Sequence, residues 1–182
     1  MMKVILMHGK HADPTQKWYP WLASEMGKRG IEFIAPALPH TDEPVFEEWL
    51  SEIDKCNPDQ DTIMVGHSRG GVAVLRWLER QPENIKVKKV ILVATNGGKI
   101  EGSKIAQKSN PGFYTDRGYD FERIKSHWDS FVVLHSNDDK VVPFSAGVEN
   151  AKGLNAKILE FTDRGHFGDN INSISELLEA LQ

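Results

Sequence analysis

The sequence predicts an α/β protein, a single-domain three-layer α/β/α sandwich over residues 1–182 with a mostly parallel sheet of about six strands. Three observations point there. Short apolar runs rich in β-branched residues recur along the whole chain, segments with helical apolar spacing separate them, and turn residues mark the boundaries. Most of the runs are apolar at successive positions rather than alternating, so both faces of the sheet should be covered by helices.

In chain order the expected strands are Val4 to Met7, Ile31 to Ala35, Thr62 to Val65, Val90 to Ala94, Phe131 to Leu134 and Lys157 to Phe161. Between them lie four apolar stripes. Trp21, Leu22 and Met26 form the first, Phe46, Trp49, Leu50 and Ile53 the second, Val72, Leu75 and Leu78 the third, and Ile174, Leu177, Leu178 and Leu181 the last. Pro20 and Pro44 are each suited to a first helical position, and Ser173 with Glu176 reads as a capping box before the last stripe. Alternation of strand and helix implies right-handed crossovers. The long stretch 96–130 is irregular and rich in glycine; it alone has the length for a small lid or insertion, and no separate cap domain is expected.

Composition narrows the function classes. The 182 residues carry 26 acidic and 22 basic side chains, a net charge of −4 without a block of like charge, which argues against a nucleic-acid partner. A chain of this length buries roughly 70% of its unfolded surface, enough for a core without staples. The only cysteine, Cys56, cannot form an internal disulfide, and a cytoplasmic location follows as the simplest expectation. No apolar run approaches the roughly 20 residues of a membrane-spanning helix, so no membrane partner is expected. The apolar run after Lys3 ends at His8-Gly9-Lys10-His11, too early for a secretion signal.

Chemistry enters after the third expected strand, where Gly66-His67-Ser68-Arg69-Gly70 gives G-x-S-x-G between a strand and a helix. A sharp strand-to-helix turn leaves no room for side chains beside the serine. Its hydroxyl then projects above the sheet edge, and the N–H of Arg69 points toward a substrate oxyanion at the helix N-terminus. A serine hydroxyl needs a base to take its proton and a carboxylate to orient that base. The loop after Phe131 to Leu134 carries Asp138 and Asp139, and the loop after Lys157 to Phe161 carries His166. Serine, aspartate and histidine thus follow in that order, each at the C-terminal end of an expected strand, where open α/β sheets build their sites. Gly9, at the end of the first strand, lets backbone approach the reacting centre, and the N–H of Lys10 is expected as the second oxyanion donor.

These residues resemble the α/β-hydrolase superfamily, and within it the small retinoblastoma-binding protein nine-like serine hydrolases and bacterial predicted esterases. The resemblance rests on His8-Gly9, Trp18 to Leu22, Pro36 to Pro39, Val65 to Gly70, Ser136 to Pro143 and Gly165-His166-Phe167. It implies a compact α/β-hydrolase fold and hydrolysis through an acyl-enzyme, without a cofactor. It also selects Asp139, four residues before Pro143, as the catalytic aspartate beside Ser68 and His166. The chain departs from the L-x-C-x-E peptide associated with retinoblastoma binding, since its cysteine reads Asp54-Lys55-Cys56-Asn57-Pro58; no such partner is supported.

Other readings have less behind them. Seven histidines invite a metal, yet His8 and His11 stand on a loop and no H-E-x-x-H or C-x-x-C occurs, so no metal is expected. Neither G-x-G-x-x-G nor G-x-x-x-x-G-K-[ST] is present for a nucleotide. A non-catalytic binding module on the same fold is the alternative function. Among the aromatic residues, Trp18 and Phe113 are the candidates to line an acyl pocket, with Tyr19, Tyr114, Tyr119, Phe121 and Trp128 as weaker ones and Trp21 expected in the core. The substrate expected is a small or accessible ester, in a fairly open cleft.

Overall fold

A computed structural model describes residues 1–100, 111–127 and 130–182. Six strands form one sheet in the order β2-β1-β3-β4-β5-β6, every neighbouring pair parallel. They are β1 (Lys3–Met7), β2 (Glu32–Ile34), β3 (Thr62–His67), β4 (Lys89–Val93), β5 (Phe131–Ser136) and β6 (Lys157–Phe161). Six helices alternate with them: α1 (Tyr19–Lys28), α2 (Phe46–Lys55), α3 (Arg69–Arg80), α4 (Phe121–Lys125), α5 (Phe144–Leu154) and α6 (Ser175–Ala180).

The chain winds outward from β1 to β2, then crosses back to β3 and winds the other way. That reversal places a crevice above the C-terminal ends of β1 and β3. Central strands are buried on both faces, as their unbroken apolar runs require, whereas the edge strands β2 and β6 keep partial exposure. Two apolar layers result. Trp18, Tyr19, Leu22, Met26, Ile174, Leu177 and Leu181 pack on one face, and residues from α2 through α5 on the other.

Local details depart from the expected punctuation. Pro44 precedes the cap residue Val45 of α2 instead of opening the helix, while Pro20 does lie in the first turn of α1. The capping box at Ser173 does not form. Ile174 is wholly buried and occupies the cap position, so α6 starts at Ser175, and Glu176 meets Ser175 and Arg164 instead. Helix α5 has no stripe of large apolar residues because its inward face is small: Ala146, Gly147, Asn150 and Ala151 precede Leu154. A Cβ on Gly147 would stand 2.4 Å from His135 Nδ1, which explains why that face is small.

Within the expected lid segment 96–130, residues 101–110 and 128–129, Trp128 among them, lie outside the described residues. The described parts are tied down by Arg76, which donates to the carbonyls of Gly98, Phe113 and Gly118 at 2.8, 3.0 and 2.9 Å. Among the described residues no helix is long and apolar enough to cross a membrane.

Candidate active site

Ser68 joins β3 to α3 with φ 53° and ψ −121°, a conformation that strains any residue with a Cβ. The surroundings hold it there. Its N–H donates to the Val93 carbonyl at 2.9 Å, continuing the β3–β4 ladder, and its own carbonyl accepts from Gly71 and Val72 in the first turn of α3. The turn is so tight that a Cβ on Gly70 would stand 2.0 Å from the Met7 carbonyl oxygen, and one on Gly66 2.4 Å from Gly71 Cα. Glycine is the residue that fits either place.

Three loops converge on the serine. Ser68 Oγ lies 2.9 Å from His166 Nε2, and His166 Nδ1 lies 2.8 Å from Asp139 Oδ2. Asp139 Oδ1 is occupied by the N–H groups of Val141 and Val142 at 2.8 and 2.9 Å, which leaves Oδ2 for the imidazole. Burial alone would push the Asp139 carboxyl up, but hydrogen bonds from His135, His166 and the Val142 N–H outweigh it and hold the carboxyl well below the usual carboxylate range. An ionised Asp139 can only accept, so His166 Nδ1 carries the proton and Nε2 presents a lone pair to the serine hydroxyl.

Asp138 has a different task. Its Oδ1 accepts from Ser136 Oγ and from the Gly165 N–H at 2.9 Å, and Ser136 Oγ in turn accepts from the Arg164 N–H at 3.1 Å. It thereby staples the β5 loop to the loop bearing His166.

On the α1 and α6 side of Ser68, a buried relay ties the parts together. The Tyr19 hydroxyl accepts from the Gly9 N–H at 3.4 Å and donates to His67 Nδ1 at 2.6 Å, and His67 Nε2 donates to the His166 carbonyl at 2.9 Å. Burial pulls the His67 imidazole down to about 3, with the neighbouring His166 ring adding to the effect, so His67 is neutral. Tyr19 and His67 have nothing in sequence spacing to link them. A histidine within the serine turn was readable only as a packing or hydrogen-bonding residue, and its partners lie 48 and 99 positions away.

The loop after β1 passes directly over the serine, since a Cβ on Gly9 would be 3.3 Å from Ser68 Cβ. Lys10 follows on that loop, and Arg69 is the first residue of α3. His8 is fixed beneath the loop: its Nε2 accepts from the Leu38 N–H at 3.1 Å and its Nδ1 donates to the Gly9 carbonyl at 2.9 Å. His11 faces Asp42 at 2.7 Å. A cleft of about 280 Å³ opens beside this loop, lined in part by His8, Ala12, Gln16, Leu38 and Asp42.

The two aromatic residues expected to line an acyl pocket have no exposed surface. Trp18 and Phe113 are wholly buried, Trp18 against Tyr19 and His67 in one layer and Phe113 against Phe46 and Trp49 in the other. Large aromatic rings gain more from full burial than from lining an open cleft, and both layers had room for one. Trp21, by contrast, is only partly buried at the margin of the core.

The family model that describes serine hydrolases matches residues 4–174. The chain belongs to the serine hydrolase family. This serine hydrolase is 30% identical over 155 residues to the serine hydrolase RBBP9 of Rattus norvegicus, covering 84% of this chain and 79% of that one. It is 27% identical over 167 residues to the protein YdeN of Bacillus subtilis (strain 168), covering 91% and 85%. The crystal structure of the B. subtilis ydeN gene product superposes with a TM-score of 0.87 at 25% identity, over 100% of this chain and 97% of that one. Est1E from Butyrivibrio proteoclasticus, solved with ferulic acid bound, shares the fold with a TM-score of 0.70 at 16% identity, over 100% of this chain and 86% of that one.

Proposed function

We propose that this serine hydrolase cleaves a small or accessible carboxylic ester through an acyl-enzyme. The observation that carries the reading is the unbroken chain Ser68 Oγ, His166 Nε2, His166 Nδ1, Asp139 Oδ2, with links of 2.9 and 2.8 Å. Ser68 attacks the ester carbonyl while its proton passes to His166 Nε2. Asp139 keeps the imidazole in the tautomer that can accept and stabilises the imidazolium that forms. The N–H groups of Lys10 and Arg69 hold the tetrahedral oxyanion, aided by the positive end of α3. His166 then returns the proton to the leaving alcohol, and a water activated by the same ring releases the acid. Protein groups alone perform these steps, and no cofactor is called on.

The described part of the chain around the serine supports a single domain with an open site and no separate cap. Its single, buried cysteine supports a reducing compartment, the cytoplasm being the one proposed.

The test uses a fluorophosphonate probe and a panel of p-nitrophenyl esters of increasing acyl length. The wild type should be labelled and should turn over at least the short esters; Ser68→Ala should not be labelled and should lose on the order of 10⁴-fold or more in kcat. An unlabelled wild type, or a Ser68→Ala variant that retains most of its turnover, would overturn the assignment.

A further inference from the structure

Helix α3 carries two buried arginines, Arg69 and Arg76, and the fold treats them differently. Arg76, 5% exposed, is saturated: besides the three carbonyls already named, its Nη1 reaches the Glu79 carboxylate at 2.7 Å and its guanidinium lies 4.6 Å from the centre of the Tyr119 ring. Arg69, 7% exposed, directly follows the serine. Its Nη1 is out of contact with water and has no hydrogen-bond partner, and no carboxylate among the described residues forms an ion pair with it. The rings of Phe113 and Tyr114 flank it, their centres 5.0 and 4.9 Å from the guanidinium carbon.

An aromatic face offsets part of a cation's lost hydration but supplies no in-plane acceptor for the N–H fork. A buried donor of a charged group that finds no acceptor keeps the cost of its lost hydration, and an acceptor brought by a ligand would remove that cost. The position agrees. Phe113 packs on Trp49, Trp49 packs on His8, and His8 carries the loop whose Gly9 covers Ser68, so Arg69, its aromatic neighbours and the serine share one end of the sheet.

We propose that the Arg69 guanidinium receives a carboxylate borne by the substrate, so that the ester this enzyme cleaves has an anionic arm. The proposal rests on the reading of Ser68 as the nucleophile and adds the substrate class. A planar carboxylate matches the guanidinium fork with two parallel hydrogen bonds, and the N-terminus of α3 adds a second favourable potential for an anion. The carboxylate belongs either to the acyl part, as in a half-ester of a dicarboxylic acid, or to the alcohol part, as in an acylated hydroxy acid.

Paired substrates separate these cases. p-Nitrophenyl hemiglutarate against p-nitrophenyl pentanoate tests the acyl arm; 4-acetoxybenzoate against 4-acetoxytoluene tests the alcohol arm. In one pair the wild type should favour the anionic ester by about tenfold to a hundredfold in kcat/KM, the range of one charge-assisted pair. Arg69→Met should erase that ratio, and Arg69→Lys, which keeps the charge without the fork, should restore part of it. A wild type with no anionic preference in either pair, or an Arg69→Met variant that slows both members of a pair by the same factor, overturns the proposal. Fluorophosphonate labelling of Ser68 is scored alongside, so that failed ester chemistry is told apart from failed recognition. If labelling fails, calorimetric titration with glutarate and with 4-hydroxybenzoate decides: binding to the wild type that weakens at least tenfold in Arg69→Met sustains the carboxylate site, and equal or absent binding removes it.

Discussion

The two sides of Ser68 are built on opposite principles. On the side of α1 and α6, the Gly9 N–H, the Tyr19 hydroxyl, both nitrogens of His67 and the His166 carbonyl all find partners within one buried relay, although the neutral Trp18 Nε1 packed beside it has none among the described residues. On the side of α2 to α5, the guanidinium of Arg69 is buried against rings with a donor left over. Saturated polar groups fix geometry, because moving any of them strands another away from water; an unsaturated one holds binding energy in reserve for a ligand. The difference teaches where this enzyme is rigid and where it is receptive.

The sharpest way to test the rigid side is at its anchor. Asp139→Asn leaves the volume unchanged but allows the amide to donate to His166 Nδ1, which favours the wrong tautomer; kcat should fall about 10⁴-fold with folding retained, measured on the p-nitrophenyl panel. A drop of less than tenfold would mean that the carboxylate does not orient the base.

Next in size is the contrast between the two arginines, read by chemical denaturation. Arg76→Met abandons the Glu79 carboxylate and three carbonyls, and should cost about 3–5 kcal/mol of stability. Arg69→Met abandons no hydrogen bond among the described residues and should cost far less, or stabilise. Equal losses at the two positions would break the distinction between a saturated and a receptive side.

The smallest effect concerns pH. His67 stays neutral in the fold down to about pH 3, whereas an unfolded imidazole takes up a proton near 6.5. Above 6.5 both states are neutral and the contribution is constant. Below it the unfolded state binds the extra proton, so stability falls by about 1.4 kcal/mol per pH unit as pH drops toward 3. His8, whose imidazole burial also pulls down, adds a loss of the same sign. The carboxylate of Asp139 enters later, since its stabilisation is present above about 3.9 and is lost as pH falls below that. Denaturation midpoints measured from pH 7 to pH 4 should therefore slope downward, less steeply in His67→Gln; a flat wild-type curve would show that the relay is not sealed from protons.

How much of this was legible in the sequence follows from the range of each interaction. The central strands were readable because burial on both faces writes an unbroken apolar run, the edge strands β2 and β6 by shorter apolar runs between turn residues, and α2 because its stripe at 46, 49, 50 and 53 is the face it buries. Helix α5 was not readable as a stripe, because close approach to the sheet demanded small residues there. Trp18 and Phe113 were misplaced for a related reason: an aromatic residue near a site in sequence fits either a pocket wall or the core, and only the packing of two layers chose the core.

By itself the sequence determined the class of fold, the serine turn, and the order in which serine, aspartate and histidine appear, because these depend on local sterics and on which face of a segment is apolar. Tertiary structure alone decided that Asp138 staples two loops, that Tyr19 and His67 join in one relay, and that Arg69 Nη1 is buried without a partner among the described residues. Those facts turn on distances of a few ångströms between residues tens of positions apart, and no local pattern records them.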